Sequence, residues 1–268
     1  PIHRQEKGLA MSEPLLEIRQ LTARFGGLVA IDAFDLTVAT GQIVALVGPN
    51  GAGKTTVLNC ISGFVTPASG SIHFQGRDVL PLGADRRAGL GIGRTFQNLQ
   101  LFASMTVLEN LLTAQHARLH ADLLRGMLPF GPARHEDRRA REQARATLHL
   151  LGLERYADLP TGALPFGAQQ MVGVARALVL HPRLVLLDEP AAGVPNREVD
   201  ALAANLRRWR DEIGTTLLLI EHNMGLVQAV ADRVTVLDYG RTLAEGDPTT
   251  VLRDPAVLEA YLGRAGAQ

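Results

Sequence analysis

The nine residues Gly48 to Thr56, GPNGAGKTT, decide how the rest of the chain is read. They satisfy G-x-x-x-x-G-K-[ST], follow the apolar run from Gln42 to Val47, and lead into Lys54 to Ser62, which reads as a helix. A buried strand, a glycine-rich turn and a helix in that order are the context a phosphate-cradling loop requires. Gly48, Gly51 and Gly53 permit backbone angles that turn successive N–H groups toward one anion. A helix starting near Gly53 adds the positive end of its dipole. Lys54 can then reach β- and γ-phosphates, and the Thr55 hydroxyl can bind Mg²⁺.

Outward from this loop, Leu15 to Phe25 and Val29 to Thr40 read as strands broken at Gly26-Gly27, and Ser71 to Val79 as a further strand. After Gly93 helical signals dominate to about Leu180. Thr106 and Glu109 have the spacing of a capping box. Ala144, Leu148 and Leu151 recur at helical spacing, and Gly126, Pro129, Gly131 and Pro132 predict a loop within 119–134. The run ARHEDRRAREQAR reads as a solvated helix face, with contact to lipid headgroups or a partner as the alternative. Strand–helix alternation returns at Arg183, with strands over Leu184 to Leu187, Thr215 to Ile220 and Arg233 to Leu237. Val199, Leu202, Leu206, Trp209 and Ile213 step by three and four along one helix face that ends at Gly214, which makes Trp209 a core residue. The pattern predicts one α/β domain interrupted by a mostly helical insert.

Composition narrows the function classes. Of 268 residues 46% are hydrophobic and 20% charged, which excludes disorder as the main state. Lys+Arg and Asp+Glu both total 27, a balance that argues against a generic nucleic-acid binder. The single cysteine, Cys60, excludes a disulfide framework and fits a small buried apolar residue in a reducing compartment. The longest apolar runs are strand-length, and residues 1–10 carry no signal-peptide pattern. With Met11-Ser12 resembling a natural start, residues 1–10 are expected to be an upstream extension, a cloning remnant or the end of a longer fused chain.

Further chemistry lies past the loop. In RLVLLDEP, Arg183 to Pro190, an apolar strand delivers two carboxylates at its carboxyl end, where ligands of parallel sheets sit. Asp188 suits Mg²⁺ ligation through water, and Glu189 is placed to polarise an attacking water. In LLLIEHN, Leu217 to Asn223, His222 emerges just past another strand, where it can hydrogen-bond a γ-phosphate. Gln97, in GRTFQNLQLF, marks the passage into the helical insert. Its amide can contact metal or water there, and an ordinary polar residue remains the competing reading.

The order GPNGAGKTT, Gln97, LPFGAQQ (Leu164 to Gln170), LLDEPAAG and His222 resembles the nucleotide-binding subunit of ABC transporters, from about Leu15 to Gly263. The resemblance implies a RecA-like P-loop NTPase core with an antiparallel β subdomain and an inserted α-helical subdomain. It implies a single ATPase domain over 11–268: core 11–95 and 180–245, helical subdomain 96–179, C-terminal helical tail 246–268. Phe25 matches the aromatic that stacks on adenine. Gly48, Asn50, Gly51, Ala52, Gly53, Lys54, Thr55 and Thr56 match the residues that hold the ATP phosphates. Gln97 matches the glutamine that binds Mg²⁺ or water and couples to the membrane domain. Gly167 matches the signature-loop glycine that faces the ATP of the opposite subunit. Asp188 matches a Mg²⁺ ligand, and Glu189 and His222 match the catalytic glutamate and switch histidine.

RTFQNLQLF, ENLLTAQH, the long insert, IEHNM and GDPTTVLRDPAVLEAYLG are similar to the branched-chain amino-acid importer type, in particular the long-insert ATPase of its pair. This implies ATP hydrolysis by head-to-tail dimer closure, with a second ATPase subunit in a homo- or heterodimer, integral-membrane permease subunits and, indirectly, a periplasmic solute-binding protein. It places the chain peripherally on the cytoplasmic face of the inner membrane, without nucleic acid. The competing class is a soluble ABC ATPase with non-transport partners; no sustained heptads and no tandem second domain support it. Two departures stand out. Pro165, Phe166 and Ala168 replace residues of the general LSGGQ signature, with Pro165 suited to the first helical turn. Pro195 stands where the family commonly has Asn or Asp, with Asn196 one place later.

Overall fold

The computed structural model describes residues 14–95, 101–119 and 132–265. In chain order the elements begin with β1 (Leu16–Phe25), β2 (Leu28–Val38), β3 (Ile43–Val47), α1 (Lys54–Ser62), β4 (Ser69–Phe74), β5 (Arg77–Asp78), α2 (Ala84–Leu90) and β6 (Ile92–Arg94). A helical stretch follows with α3 (Val107–Leu119), α4 (Pro132–Leu150) and α5 (Phe166–Leu178). The chain then returns through β7 (Leu184–Asp188), α6 (Asn196–Ile213), β8 (Thr216–Ile220), α7 (Met224–Val230), β9 (Arg233–Asp238) and β10 (Arg241–Gly246), and ends in α8 (Pro248–Val251) and α9 (Pro255–Ala265).

Two sheets form. One is antiparallel, in the order β2-β1-β4-β5; the other has six strands in the order β10-β9-β3-β8-β7-β6, parallel except for β10. The continuous apolar runs of β3, β7 and β8 follow from burial on both faces. Ile43, Ala45 and Val47 of β3 join a core shared with the helical segment, α6 and α7. Val44 and Leu46 face a second core made with α1 and the antiparallel sheet. Trp209 is fully buried, and α6 stops at Gly214, whose φ of 70° suits a left-handed cap.

Two expectations change. The single strand read over Ser71 to Val79 is a hairpin of β4 and β5. Gln75 and Gly76 turn the chain with φ of 53° and 71°, the double left-handed geometry of a tight two-residue hairpin turn. The loop read within 119–134 is bounded more tightly: α3 runs to Leu119 and α4 starts at Pro132, while 120–131 fall outside the described residues. Proline suits a first helical position because its missing N–H has no helical partner there.

Elsewhere the local chemistry acts as its residues suggest. Thr106 N donates to Glu109 Oε2 at 2.8 Å and Glu109 N donates to Thr106 Oγ1 at 3.1 Å, a closed capping box at the head of α3. The charged run of α4 is a solvated face from Asp137 onward. Ala140, Ala144 and Leu148 are buried beneath it, and Arg141 meets Asp137 at 3.1 Å.

Candidate active site

The glycine-rich loop leaves the carboxyl end of β3 and closes against β9. Gly48 has φ of 148°, and a Cβ there would lie 2.0 Å from the Leu237 carbonyl oxygen, so only glycine fits. Gly53, with φ of 106°, is the N-cap of α1 and no side chain caps that helix. The helix thus presents its first N–H groups and dipole end beside the loop. Ala52 is buried and Asn50, Gly51 and Thr55 are exposed. The Lys54 ammonium is held inside the loop, donating to the Gly48 carbonyl at 2.7 Å and the Pro49 carbonyl at 2.9 Å. Thr56, half-buried, follows in the first turn of α1.

β8 lies between β3 and β7, so the ends of three neighbouring parallel strands supply the loop, His222 and the carboxylates Asp188 and Glu189. His222 Nε2 lies 3.0 Å from Glu189 Oε1. Glu189 adopts φ of 51°, a left-handed conformation that a non-glycine residue keeps only when its surroundings hold it. Its N–H donates to the Ile220 carbonyl at 3.0 Å, extending the β7–β8 ladder by one bond.

Two residues at this site escaped the sequence reading. Arg94, at the end of β6, runs under the site: Nη1 donates to Asn59 Oδ1 at 2.7 Å and Ser62 Oγ at 2.8 Å, and Nη2 lies 3.4 Å from Asp188 Oδ2. Burial pushes the Asp188 carboxyl above its usual range, with the Arg94 guanidinium pulling the other way and Glu189 adding to the rise. Glu221, only 2% exposed, accepts from the N–H groups of Ala191 at 2.7 Å, His222 at 3.0 Å and Asn223 at 3.2 Å. Burial raises its pKa and the three amides oppose the rise. An acidic residue directly after the apolar LLLI was the available signal for Glu221. Arg94 carried none, since Asn59, Ser62 and Asp188 are all distant in sequence.

The other expected positions are spread around this centre. Phe25 is 49% exposed at the tip of the β1–β2 hairpin. Gly167 is the second residue of α5 with open space around its α-carbon. Pro165 is the N-cap of α5, one place before the first helical turn expected for it. The Phe166 ring lies against Gly193 of the loop after β7: a Cβ on Gly193 would be 3.2 Å from it. Gln97 lies outside the described residues.

The ABC transporter family profile matches residues 31–192, and that of the branched-chain amino acid ATP-binding cassette transporters matches 241–267. The high-affinity branched-chain amino acid transport ATP-binding protein BraF of Pseudomonas aeruginosa is 43% identical over 255 residues, covering 95% of this chain and all of BraF. LivG of Escherichia coli, of the same description, is 41% identical over the same shares. The ADP conformation of MJ1267, an ATP-binding cassette of an ABC transporter, superposes with a TM-score of 0.82 at 30% identity, covering 94% of this chain and all of MJ1267. With this cassette fold and the three-strand convergence of its loops, the chain belongs to the ATP-binding subunits of ABC transporters, in their branched-chain amino-acid group.

Proposed function

We propose that the chain hydrolyses ATP between these three strand ends to drive import of branched-chain amino acids, as one subunit of an ATPase pair under a membrane permease. The observation that carries the reading is the meeting of GPNGAGKTT, His222 and Asp188-Glu189 at the carboxyl ends of β3, β8 and β7. The transport described for BraF and LivG supports the solute class.

Phosphoryl transfer needs positioning and electrostatic stabilisation more than a covalent nucleophile. The N–H groups of Gly48 to Thr56, Pro49 excepted, and the α1 dipole hold the phosphates, and Lys54 adds a point charge. Glu189 accepts a hydrogen from water and orients its attack; His222 contacts the γ-phosphate. Phe25 offers a face to adenine, Gly167 faces the nucleotide of the opposite subunit, and Gln97 links the site to the permease. Mg²⁺ fits the donor chemistry. The Thr55 hydroxyl and Asp188 carboxylate are hard oxygen donors, and no cluster of three or more His, Cys, Asp or Glu among the described residues would cage an ion without phosphates. When bound, the ion neutralises charge on the β- and γ-phosphates.

Core 11–95 and 180–245, helical subdomain 96–179 and tail 246–268 are the proposed division. The partners are a second ATPase, identical or different, the permease and, through it, a periplasmic solute-binding protein. Among the described residues no helix is long and apolar enough to cross a membrane, which suits peripheral attachment at the cytoplasmic face.

Two variants test the reading together. Glu189→Gln keeps shape but removes the charge that orients water, so ATP stays bound while turnover falls ~10² or more. Lys54→Ala removes the ammonium and weakens ATP binding severely. Turnover near wild type in the first, or affinity within a few-fold of wild type in the second, would overturn the assigned role.

A further inference from the structure

Glu221 is a buried carboxylate that the hydrolytic scheme does not use, and its bonds cross between two functional loops. Oε1 accepts from Ala191 N, two residues past Glu189. Oε2 accepts from the N–H groups of His222 and Asn223 on the other loop. The second loop is fixed again at Asn223, whose side chain caps α7 by accepting from Leu226 N at 3.0 Å. The first, PAAGVP over 190–195, carries no polar side chain that could cap it in the same way. Glu189 stands there at φ of 51°, and Ala192 N donates back to its carbonyl at 3.0 Å, closing a tight turn. Such a turn keeps a non-glycine residue left-handed only if something outside it holds its exit. The Ala191–Glu221 bond is the hold that comes from the loop after β8; a second comes from α5, where Gln170 Nε2 donates to the Ala192 carbonyl at 2.7 Å.

We propose that Glu221 is a positioning residue that clamps the loop after β7 to the loop after β8, and so sets the separation of the Glu189 carboxylate and the His222 imidazole. The inference rests on the hydrolytic roles proposed above for those two residues. A neutral or shorter side chain cannot replace it. Glutamine has one acceptor oxygen, so whichever loop takes that oxygen, the NH₂ faces N–H donors of the other. Aspartate keeps the charge but is one methylene too short to span both.

The test is steady-state hydrolysis in the assembled transporter, with ATP binding measured separately. In Glu221→Gln, ATP affinity stays within about three-fold of wild type because the glycine-rich loop is untouched, while kcat falls ~10-fold or more, as a misplacement on the ångström scale produces. Against a His222→Ala background the same substitution costs less than about three-fold, because the relation it protects is already gone. Turnover within three-fold of wild type in Glu221→Gln overturns the proposal, and so does an undiminished loss on the His222→Ala background, which would mark a general structural role. Should the glutamine variant fail to fold, Glu221→Asp carries the same expectation, and wild-type kcat in that variant overturns the clamp. Glu189→Gln run in parallel reads the underlying assignment: full turnover there removes the role of Glu189 and this inference with it. Loss there with full turnover in Glu221→Gln removes only the clamp.

Discussion

Replacing Arg94 with methionine removes the one positive charge seen within hydrogen-bond range of Asp188 among the described contacts. The side chains of the pair are only 8% and 5% exposed. Breaking a buried pair by deleting one partner typically costs ~3–5 kcal/mol, because the surviving charge is left uncompensated. The 3.4 Å separation is long, and the shorter bonds of Arg94 go to Asn59 and Ser62, so part of the loss is neutral hydrogen bonding. For a chain of this size 1 kcal/mol moves Tm by roughly 2–4 °C, giving a fall of roughly 6–20 °C. The charge contribution is isolated by adding Asp188→Asn, which should recover ~1–3 kcal/mol of the loss. Urea unfolding of wild type, both single variants and the double variant measures each corner of the cycle. A cost below about 1 kcal/mol for Arg94→Met, or no recovery in the double variant, would refute the claim that Asp188 depends on this charge.

Pro165→Ser adds a hydroxyl at the N-cap of α5 and should raise ATP hydrolysis by the isolated chain, since one charge-assisted hydrogen bond is worth ~1.5–3 kcal/mol at most; an unchanged or lower rate in a phosphate-release assay would show that the hydroxyl is not limiting. Burial lifts the Cys60 thiol to about 11. Its contribution to stability is therefore complete below the unfolded thiol pKa of about 8.5 and lost as pH rises through about 11. Thiol labelling at pH 8 should proceed only as fast as the protein unfolds, and rapid labelling of the folded chain would contradict this burial.

Legibility in the sequence followed the range of the interaction. The glycine-rich loop could be read because its strand, turn and helix are contiguous and its glycines answer to local backbone needs. Gly48 is the case that needs the fold as well: its φ of 148° and the Leu237 carbonyl both demand glycine, yet Leu237 is far away in the chain. Thr106 with Glu109, and Val199 through Ile213, were legible for the same reason: three- and four-residue spacings are the helix's own geometry. The division of the strands into two sheets was not legible from periodicity, because β1 and β2 are as apolar as many core strands and pairing partners are a tertiary matter. The β4–β5 turn was missed although Gly76 signalled it. Arg94 was invisible as a site residue because a lone charge beside a strand looks the same whether its partners converge or not, and Glu221 offered only its place directly after LLLI.

The altered signature meets the loop after β7 in space, and this changes what the alteration means. Phe166, 58% exposed, heads α5 and leans its ring on Gly193, in the loop that leaves Glu189 and runs to Pro195. Pro165 supplies no side-chain cap, but its carbonyl accepts from Gln169 N at 3.0 Å and its φ of −56° is what proline imposes. The helix therefore starts cleanly with its leading N–H groups uncapped by any side chain. A helix N-terminus attracts an anion through backbone dipoles that do not depend on a serine. Gly193, at φ of 74°, has room for the ring but not for a Cβ of its own without pressing on it. The aromatic thus does in this chain what a small residue cannot: it packs the start of α5 against the loop that leaves Glu189. Pro165 and Phe166 are accordingly one altered contact, and their effect on hydrolysis has to be judged together with the position of Glu189.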